Sequence, residues 1–525
     1  MVFSPHWIAL SLNKSSHPCV FGHIDDSTSE KSFNKFKNIP LIHLLYPIFR
    51  ITIDVTHQIW YLIHLMAKPK KHKREEISKT VGFVALGCPK NMVDAEAMLA
   101  RIGMAGYILT PNPDNADIVI INTCGFIAPA REEALGAIRK AIRLKKKGRI
   151  GKVIVAGCLS QRLGEDLLDE VEDIDAIVGL AGRDSIEQVL RNLESEDHAP
   201  ATHLYLGPTA SSAPDDRTRL RITPQHWAYL RISEGCNRRC SFCTIPAIRG
   251  KFHSKPLDII LDEARILADN GAVELSLIAQ DSNYYGRDIG LNDGLVRLLR
   301  ELEKIPSLKW IRLMYLYPAG IDTALIETIA SSSKIVHYVD MPIQHINDGI
   351  LKSMHRAHTR QSTTKLIEQL RSAIPDIVLR TTVIAGFPGE TQAQFDELLD
   401  FVKWAQFDAL GCFPFYPEAG TPAAHLSGQL PEEVRRQRAD RIMQVQQAIA
   451  FAHAHQRIGS RLTVLADEKA KSAVHGRFYG QAPHIDSICI IENSSVPPGS
   501  FIEAEVIGQQ DYDLVVRRIK KQKEH

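Results

Sequence analysis

Ser233-Glu234-Gly235-Cys236-Asn237-Arg238-Arg239-Cys240-Ser241-Phe242-Cys243 places three cysteines in one short loop, directly after an apolar run, His226 to Ser233, that reads as a strand. Thiolates are soft ligands, and a loop of this spacing can turn all three toward one iron–sulfur cluster. Three ligands for four irons leave one iron open. The competing reading is a structural zinc site, which wants a fourth ligand; His253 is the candidate for that position.

Outward from the loop, the strand opens a series. Ala272 to Ala279, Lys309 to Leu316, Ile335 to Met341, Ile377 to Ala385 and Phe407 to Phe413 read as further strands, with helices between them. Pro256 to Asn270 shows the helical pattern: Leu257, Ile260, Leu261, Ala264, Leu267 and Ala268 share one face. Pro256 suits its first turn and Gly271 its stop. Strands alternating with helices predict a (β/α) barrel or part-barrel over residues 223–457, ending in the long charged helix Pro431 to Arg457. Active sites of such folds lie at the carboxyl ends of the strands, which is where the cysteine loop sits. Gln280 and Asp281 end the second strand, and Gly386 and Gly389 follow a later one. Gln280, Gly386 and Gly389 are expected to contact a cofactor; a helix start or a plain turn is the competing explanation. Gln344 and His345 reach the same rim, and no proton-transfer role is assigned to them.

Upstream, Thr80 to Leu86, Asp117 to Asn122 and Lys152 to Ala156 read as strands, and Val93 to Ile102 and Pro129 to Leu144 as helices. This alternation predicts an open parallel α/β domain over residues 79–185. Cys88, Cys124 and Cys158 each follow one of these strands, so all three fall on the carboxyl rim of one sheet, where ligands bind. Gly87 and Gly157 permit tight turns beside them. Singly, each is an ordinary buried cysteine; together they can hold a second cluster with one open iron.

The remaining parts are plainer. Residues 186–222, rich in Ser, Asp, Pro and Thr, read as a linker. Residues 458–525 show five short strand runs and predict a small barrel of the OB type. Residues 1–78 read as a leader: Arg50 and Asp54 interrupt the apolar stretch from Ile39 to Met66 and argue against a membrane span. Met66 is the expected initiator. Basic runs at Lys68 to Arg74 and Arg517 to Lys523 are solvated ends that can add weak affinity for ribosomal RNA. Among 525 residues, 44% are hydrophobic and 24% charged, the net charge is only +2, and nine cysteines accompany no secretory signal. Bulk charge therefore points to no partner, and the cysteines fit a reducing cytoplasm rather than a disulfide framework. Cys19, Cys412 and Cys489 are surplus to both sets and read as non-ligands.

The central motif resembles that of the radical S-adenosylmethionine superfamily. With Leu86 to Asp94 (LGCPKNMVD) and Asn122 to Ile127 (NTCGFI), it resembles the methylthiotransferase family from about Thr80 to the C-terminus. Asp340 to His345 (DMPIQH), Gly476 to Asp486 (GRFYGQAPHID) and Gly125 are similar to the branch that modifies a ribosomal protein; the tRNA-modifying branch carries other residues after the second cysteine. Met341, Ile343 and Ala357-His358 depart mildly from that wording.

The resemblance implies an N-terminal methylthiotransferase domain, a radical domain and a C-terminal TRAM domain. It implies two 4Fe–4S clusters, held by Cys236, Cys240 and Cys243 and by Cys88, Cys124 and Cys158, with S-adenosylmethionine at the first and the transferred sulfur at the second. Phe242 resembles the position that packs near the adenine. The activity implied is methylthiolation at the β-carbon of an aspartate in small-subunit ribosomal protein S-twelve, with an electron donor as a further partner. The alternatives are a tRNA adenosine methylthiotransferase and, from another class, a non-catalytic RNA-binding protein with structural metal sites; two sets each one ligand short of closure weigh against the last.

Overall fold

The computed structural model describes residues 79–195, 202–209, 211–471 and 473–519. The leader, Met66, Cys19 and most of both basic runs lie outside the described residues.

Runs of aliphatic residues buried on both faces form a parallel sheet. Its strands are β1 (Thr80–Ala85), β2 (Ile108–Thr110), β3 (Ile118–Thr123), β4 (Lys152–Gly157), β5 (Ala176–Val178) and β6 (His203–Tyr205), hydrogen-bonded in the order β2-β1-β3-β4-β5-β6. Connections run outward in opposite directions from β1 and β3, which creates a crevice at the carboxyl ends of those strands. Helices Pro89–Met104, Ala128–Lys146 and Cys158–Leu163 leave β1, β3 and β4 at this edge, so each cysteine sits at a strand-to-helix turn.

The stretch expected as a linker is partly regular. It holds helix Ile186–Ser195, with Ile186, Val189, Leu190 and Leu193 buried on one face, and β6. Its polar composition hid the helical spacing, and a three-residue strand leaves no period to read.

The second sheet contains β7 (Trp227–Arg231), β10 (Glu274–Ile278), β11 (Trp310–Leu313), β12 (Ile335–Asp340), β13 (Val378–Ala385) and β14 (Ala409–Pro414), parallel, in the order β14-β13-β12-β11-β10-β7. The end strands do not pair, so this is a part-barrel. Between β7 and β10, β8 (Ser233–Glu234) and β9 (His253–Ser254) pair antiparallel and tie together the two ends of the cysteine loop. Helix Glu432–Gln456 covers β13 and β14.

Strands β15 (Arg461–Lys469), β16 (Ala473–Phe478), β17 (Cys489–Glu492), β18 (Phe501–Gln510) and β19 (Asp513–Arg518) close a small barrel in the order β15-β16-β17-β19-β18. It docks against the amino ends of the part-barrel strands. Trp227 meets His484 edge-on at 4.8 Å and Trp310 meets Phe501 at 4.9 Å. Arg312 Nη1 donates to Tyr479 O (2.6 Å), Tyr338 Oη to Asp486 Oδ2 (2.8 Å), and Arg477 pairs with Glu274 (2.8 Å). The small barrel thus plugs one end of the part-barrel and leaves the carboxyl rim to the chemistry. No helix among the described residues is long and apolar enough to cross a membrane.

Candidate active site: two three-cysteine cradles

The first cradle is local. A Cβ at Gly235, whose φ is +73°, would stand 1.9 Å from Lys251 O, so only glycine lets the loop start this close to its own return strand. Cys236 N then donates to Gly250 O (3.1 Å). Backbone amides point at the sulfurs: Arg238 N at Cys236 Sγ (3.4 Å) and Ile245 N at Cys243 Sγ (3.5 Å). Arg356 Nη1 reaches Cys240 Sγ at 3.7 Å. The guanidiniums of Arg356 and Arg238 lie 4.1 and 3.8 Å from the Tyr317 ring centre. Arg238 also pairs with Asp281 (2.6 Å).

The second cradle is assembled from three strands. A Cβ at Gly87 (φ +95°) would stand 2.7 Å from Cys124 Cβ, and one at Gly125 would stand 2.8 Å from Leu159 Cα. These two absent side chains let the three turns close on one another. Asn91, one turn into the helix that Cys88 starts, donates through Nδ2 to Leu86 O (2.8 Å) and Thr123 O (2.9 Å). Asn122 donates back to Asn91 O (2.8 Å). Arg249 Nη2 donates to Cys158 Sγ at 3.3 Å.

The donor sets suit a cationic cluster. Burial and the neighbouring Cys88 and Cys158 push the Cys124 thiol up to about 12. Burial lifts Cys158 to about 11 despite Arg249, Cys236 to about 11, and Cys243 to about 12 with help from Cys240. Crowded buried thiols lose their protons only when a metal centre stands among them. Among the described residues, no group of three His, Cys, Asp or Glu is placed to hold a single metal ion. His253 is held in β9 opposite Glu234. Cys412 lies in β14, and Cys489 in β17 donates to Gln481 Oε1 (3.2 Å).

The other sequence candidates fall as follows. Phe242 packs beside Ile350, Met354, Phe387 and Phe415 next to the loop. Gln280 is engaged from both sides: its Oε1 accepts from Lys90 Nζ (2.6 Å) and its Nε2 donates to Glu234 (3.4 Å). Asp281 beside it keeps a buried Oδ1 with no hydrogen-bond partner. Burial pushes its carboxyl up, against Arg238. Gly386 (φ +75°) needs its missing side chain to clear Arg435, whose Cγ would lie 2.5 Å away, whereas Gly389 (φ +79°) faces open space. His345 is buried between Glu390 (3.2 Å) and the Asn347 amide (3.0 Å).

Sequence reasoning missed a buried ionic seam between the two cradles. Lys90 donates to Ser233 O (2.7 Å) and pairs with Glu234 (3.2 Å). Asp94 pairs with Arg183 (2.7 Å), Arg231 (2.5 Å) and Arg249 (2.9 Å). Arg249 pairs also with Glu234 (3.2 Å). Lys90 and Asp94 are one helical turn apart inside the quoted Leu86 to Asp94 motif, and that i,i+4 spacing was the available signal. On another flank Glu418 accepts from Ala128 N (2.8 Å) and Arg131 (2.6 Å) and pairs with Arg162 (2.9 Å). Tyr315, at φ +60°, lies close enough to Cys88 for that thiol to raise its hydroxyl pKa, after burial itself.

Three family models match consecutive parts of the chain: uncharacterized protein family UPF0004 over residues 80–179, the radical SAM superfamily over 230–402 and the TRAM domain over 458–519. The solved tryptophan- and aza-SAM-bound methyltransferase TsrM of Kitasatospora setae is similar at TM-score 0.47 and 14% identity, over 75% of this chain and 79% of that one. A radical domain of this kind binds a 4Fe–4S cluster and S-adenosylmethionine. With a second three-cysteine rim before it and a TRAM barrel after it, the chain is a radical S-adenosylmethionine methylthiotransferase.

The ribosomal protein uS12 methylthiotransferase RimO of Syntrophomonas wolfei is 41% identical over 83% of this chain and 99% of its own length. That of Geobacter sulfurreducens is 42% identical over 83% and 97%. The chain belongs to this RimO family. The non-catalytic alternative falls with that membership.

Proposed function

We propose that the chain transfers a methylthio group to the β-carbon of an aspartate in ribosomal protein uS12. In this reading Cys236, Cys240 and Cys243 hold the cluster that binds S-adenosylmethionine, and Cys88, Cys124 and Cys158 hold a second 4Fe–4S cluster. The observation that carries it is the meeting of two three-thiol rims across one interface: the helix Ile245–Arg249, which starts just after Cys243, ends at Cys158. Bound S-adenosylmethionine supplies reductive cleavage and removal of a hydrogen from an unactivated carbon.

The chain's own groups then place the reactants. Phe242 and its apolar neighbours form a wall for the adenine side of the first cradle. The unpartnered Asp281 Oδ1 and open Gly389 are available to the cofactor's polar groups. The seam from Lys90 to Arg249 excludes water between the cradles and fixes their separation, so the sulfur is delivered at a set distance from the reacting carbon. An external electron donor completes the reaction, and the basic C-terminal end adds weak contact with ribosomal RNA. The setting is the cytoplasm, where the ribosome is.

Mass spectrometry of uS12 from cells with and without the gene tests this. A methylthio increment on the target aspartate that disappears on deletion is the expected result. An unchanged uS12, with loss of a methylthio-adenosine from tRNA, would move the chain's substrate to tRNA.

A further inference from the structure

The helix Ile245–Arg249 is a short rod with one end at each cradle. At its start Ile245 N points at Cys243 Sγ (3.5 Å); at its end Arg249, almost wholly buried, donates to Cys158 Sγ (3.3 Å). The same Nη2 donates to Asn91 Oδ1 (3.2 Å) and Asp94 Oδ2 (2.9 Å), while Nη1 donates to Glu234 Oε1 (3.2 Å). These acceptors fix the guanidinium plane, so its position at the sulfur is preorganised rather than selected from many rotamers. Asn91 in turn ties to Leu86 O and Thr123 O, on the turns that carry Cys88 and Cys124. A single cation from the radical domain therefore touches the ligand set of the other domain and the framework that shapes it.

We propose that Arg249 is a positioning residue that tunes the second cluster, raising its reduction potential through a charge-assisted hydrogen bond to the Cys158 thiolate. The inference rests on Cys88, Cys124 and Cys158 being the ligands of that cluster. The physical argument is electrostatic. A cluster gains one negative charge on reduction, and hydrogen bonds to its sulfurs stabilise the more negative form. Away from water the interaction is little screened. The Cys236 cluster has neutral backbone amides at Cys236 and Cys243 but, among the described residues, no buried cation at its sulfurs; Arg356 is half-buried and 3.7 Å from Cys240 Sγ. The two clusters are thereby held at different potentials by residues outside their ligand sets. The second stays the better electron acceptor, and the first remains the stronger reductant for cleaving S-adenosylmethionine.

The test is an EPR-monitored redox titration of the reconstituted full-length protein, comparing the native chain with Arg249→Gln and Arg249→Lys. The same substitutions in a Cys236→Ala, Cys240→Ala, Cys243→Ala background isolate the second cluster's signal. The expected result is a shift of the second cluster to more negative potential in Arg249→Gln, a smaller shift in Arg249→Lys, and an unmoved Cys236 cluster. An unchanged second-cluster potential at full iron content overturns the proposal. So does an equal shift of both clusters, or loss of the second cluster from both variants, which would make Arg249 a part of the scaffold. A native chain with about four irons instead of about eight would instead refute the ligand assignment, and the inference with it.

Discussion

Cys236, Cys240 and Cys243 lie on one loop tied at its ends by β8 and β9, whereas Cys88, Cys124 and Cys158 arrive from three strands of a parallel sheet. The loop cradle uses its own backbone amides as sulfur donors and stands beside a half-open stack of Arg238, Tyr317 and Arg356. The sheet cradle also has a backbone amide, Phe126 N, at Cys124, but it is framed by buried side chains around an exposed Cys88 and borrows its cation from the other domain. A local cradle tolerates changes elsewhere because few residues define it. A non-local one inherits the stability of everything that positions its strands, and here that includes the seam between domains. The sheet cradle is therefore the one that depends on the whole fold.

The largest effect comes from removing ligands. Cys88→Ala, Cys124→Ala and Cys158→Ala together are expected to lower iron from about eight to about four per chain, keep S-adenosylmethionine cleavage and abolish methylthio transfer. The corresponding loop triple variant is expected to lose cleavage and keep the other four irons. Iron and acid-labile sulfide analysis with a cleavage assay reads both. Loss of both clusters in the loop variant would break the comparison, because it would show that the sheet cradle cannot stand without the loop's metal.

Next in size is the seam. Asp94→Asn leaves Arg183, Arg231 and Arg249 facing a neutral amide in a dry interior. Removing one member of a buried ion pair costs about 3–5 kcal/mol. Arg238→Met in the loop cradle breaks a partly exposed pair and a ring contact, for which about 1 kcal/mol is expected. Urea midpoints of the two variants measure the ratio. Equal shifts would mean that the seam is hydrated and the contrast between the cradles is one of geometry alone.

How much of this was readable from residues follows the same division. The loop cradle was visible at once, because its chemistry is contiguous. The sheet cradle was visible because each cysteine follows an apolar run, so period and position agreed. The cation that links them was not: Arg249 follows the short apolar run Ile245 to Ile248, and nothing local says that its guanidinium will meet Cys158, Asp94 and Glu234. Glu234 lies inside the quoted motif yet reads as a strand end until Lys90, Arg231 and Arg249 are seen around it. Helix Ile186–Ser195 had the spacing of an amphipathic helix but was masked by the polar residues around it. Buried polar partners are assembled from distant positions, and one sequence carries no sign of which charges will meet. Gln280 shows the same dependence on distant partners. It stands on the rim, with both ends of its side chain engaged by Lys90 and Glu234 of the seam.

The smallest effect distinguishes the two cradles by the sign of their pH dependence. Asp216, at the seam, is buried, and Arg231 with Lys255 overcomes that burial to hold its carboxyl far below the usual range. Its contribution to stability is present above the unfolded value, about 4, and is lost as pH falls. Asp281, at the loop cradle, goes the other way: burial raises it and Arg238 only partly compensates. A group whose folded value is raised favours the fold when protonated, so its contribution is full below about 4 and is lost as pH rises through the raised value. Linkage limits either slope to about 1.4 kcal/mol per pH unit. Asp216→Asn is expected to flatten the acid limb of the stability profile. Asp281→Asn is expected to leave that limb in place and to remove the decline on the side above pH 4. Chemical denaturation from pH 3 to 7 on the metal-free chain reads both. A decline above pH 4 that survives in Asp281→Asn would mean that Arg238 fully offsets the burial of Asp281. The two cradles would then differ in how they hold charge but not in the sign of its cost.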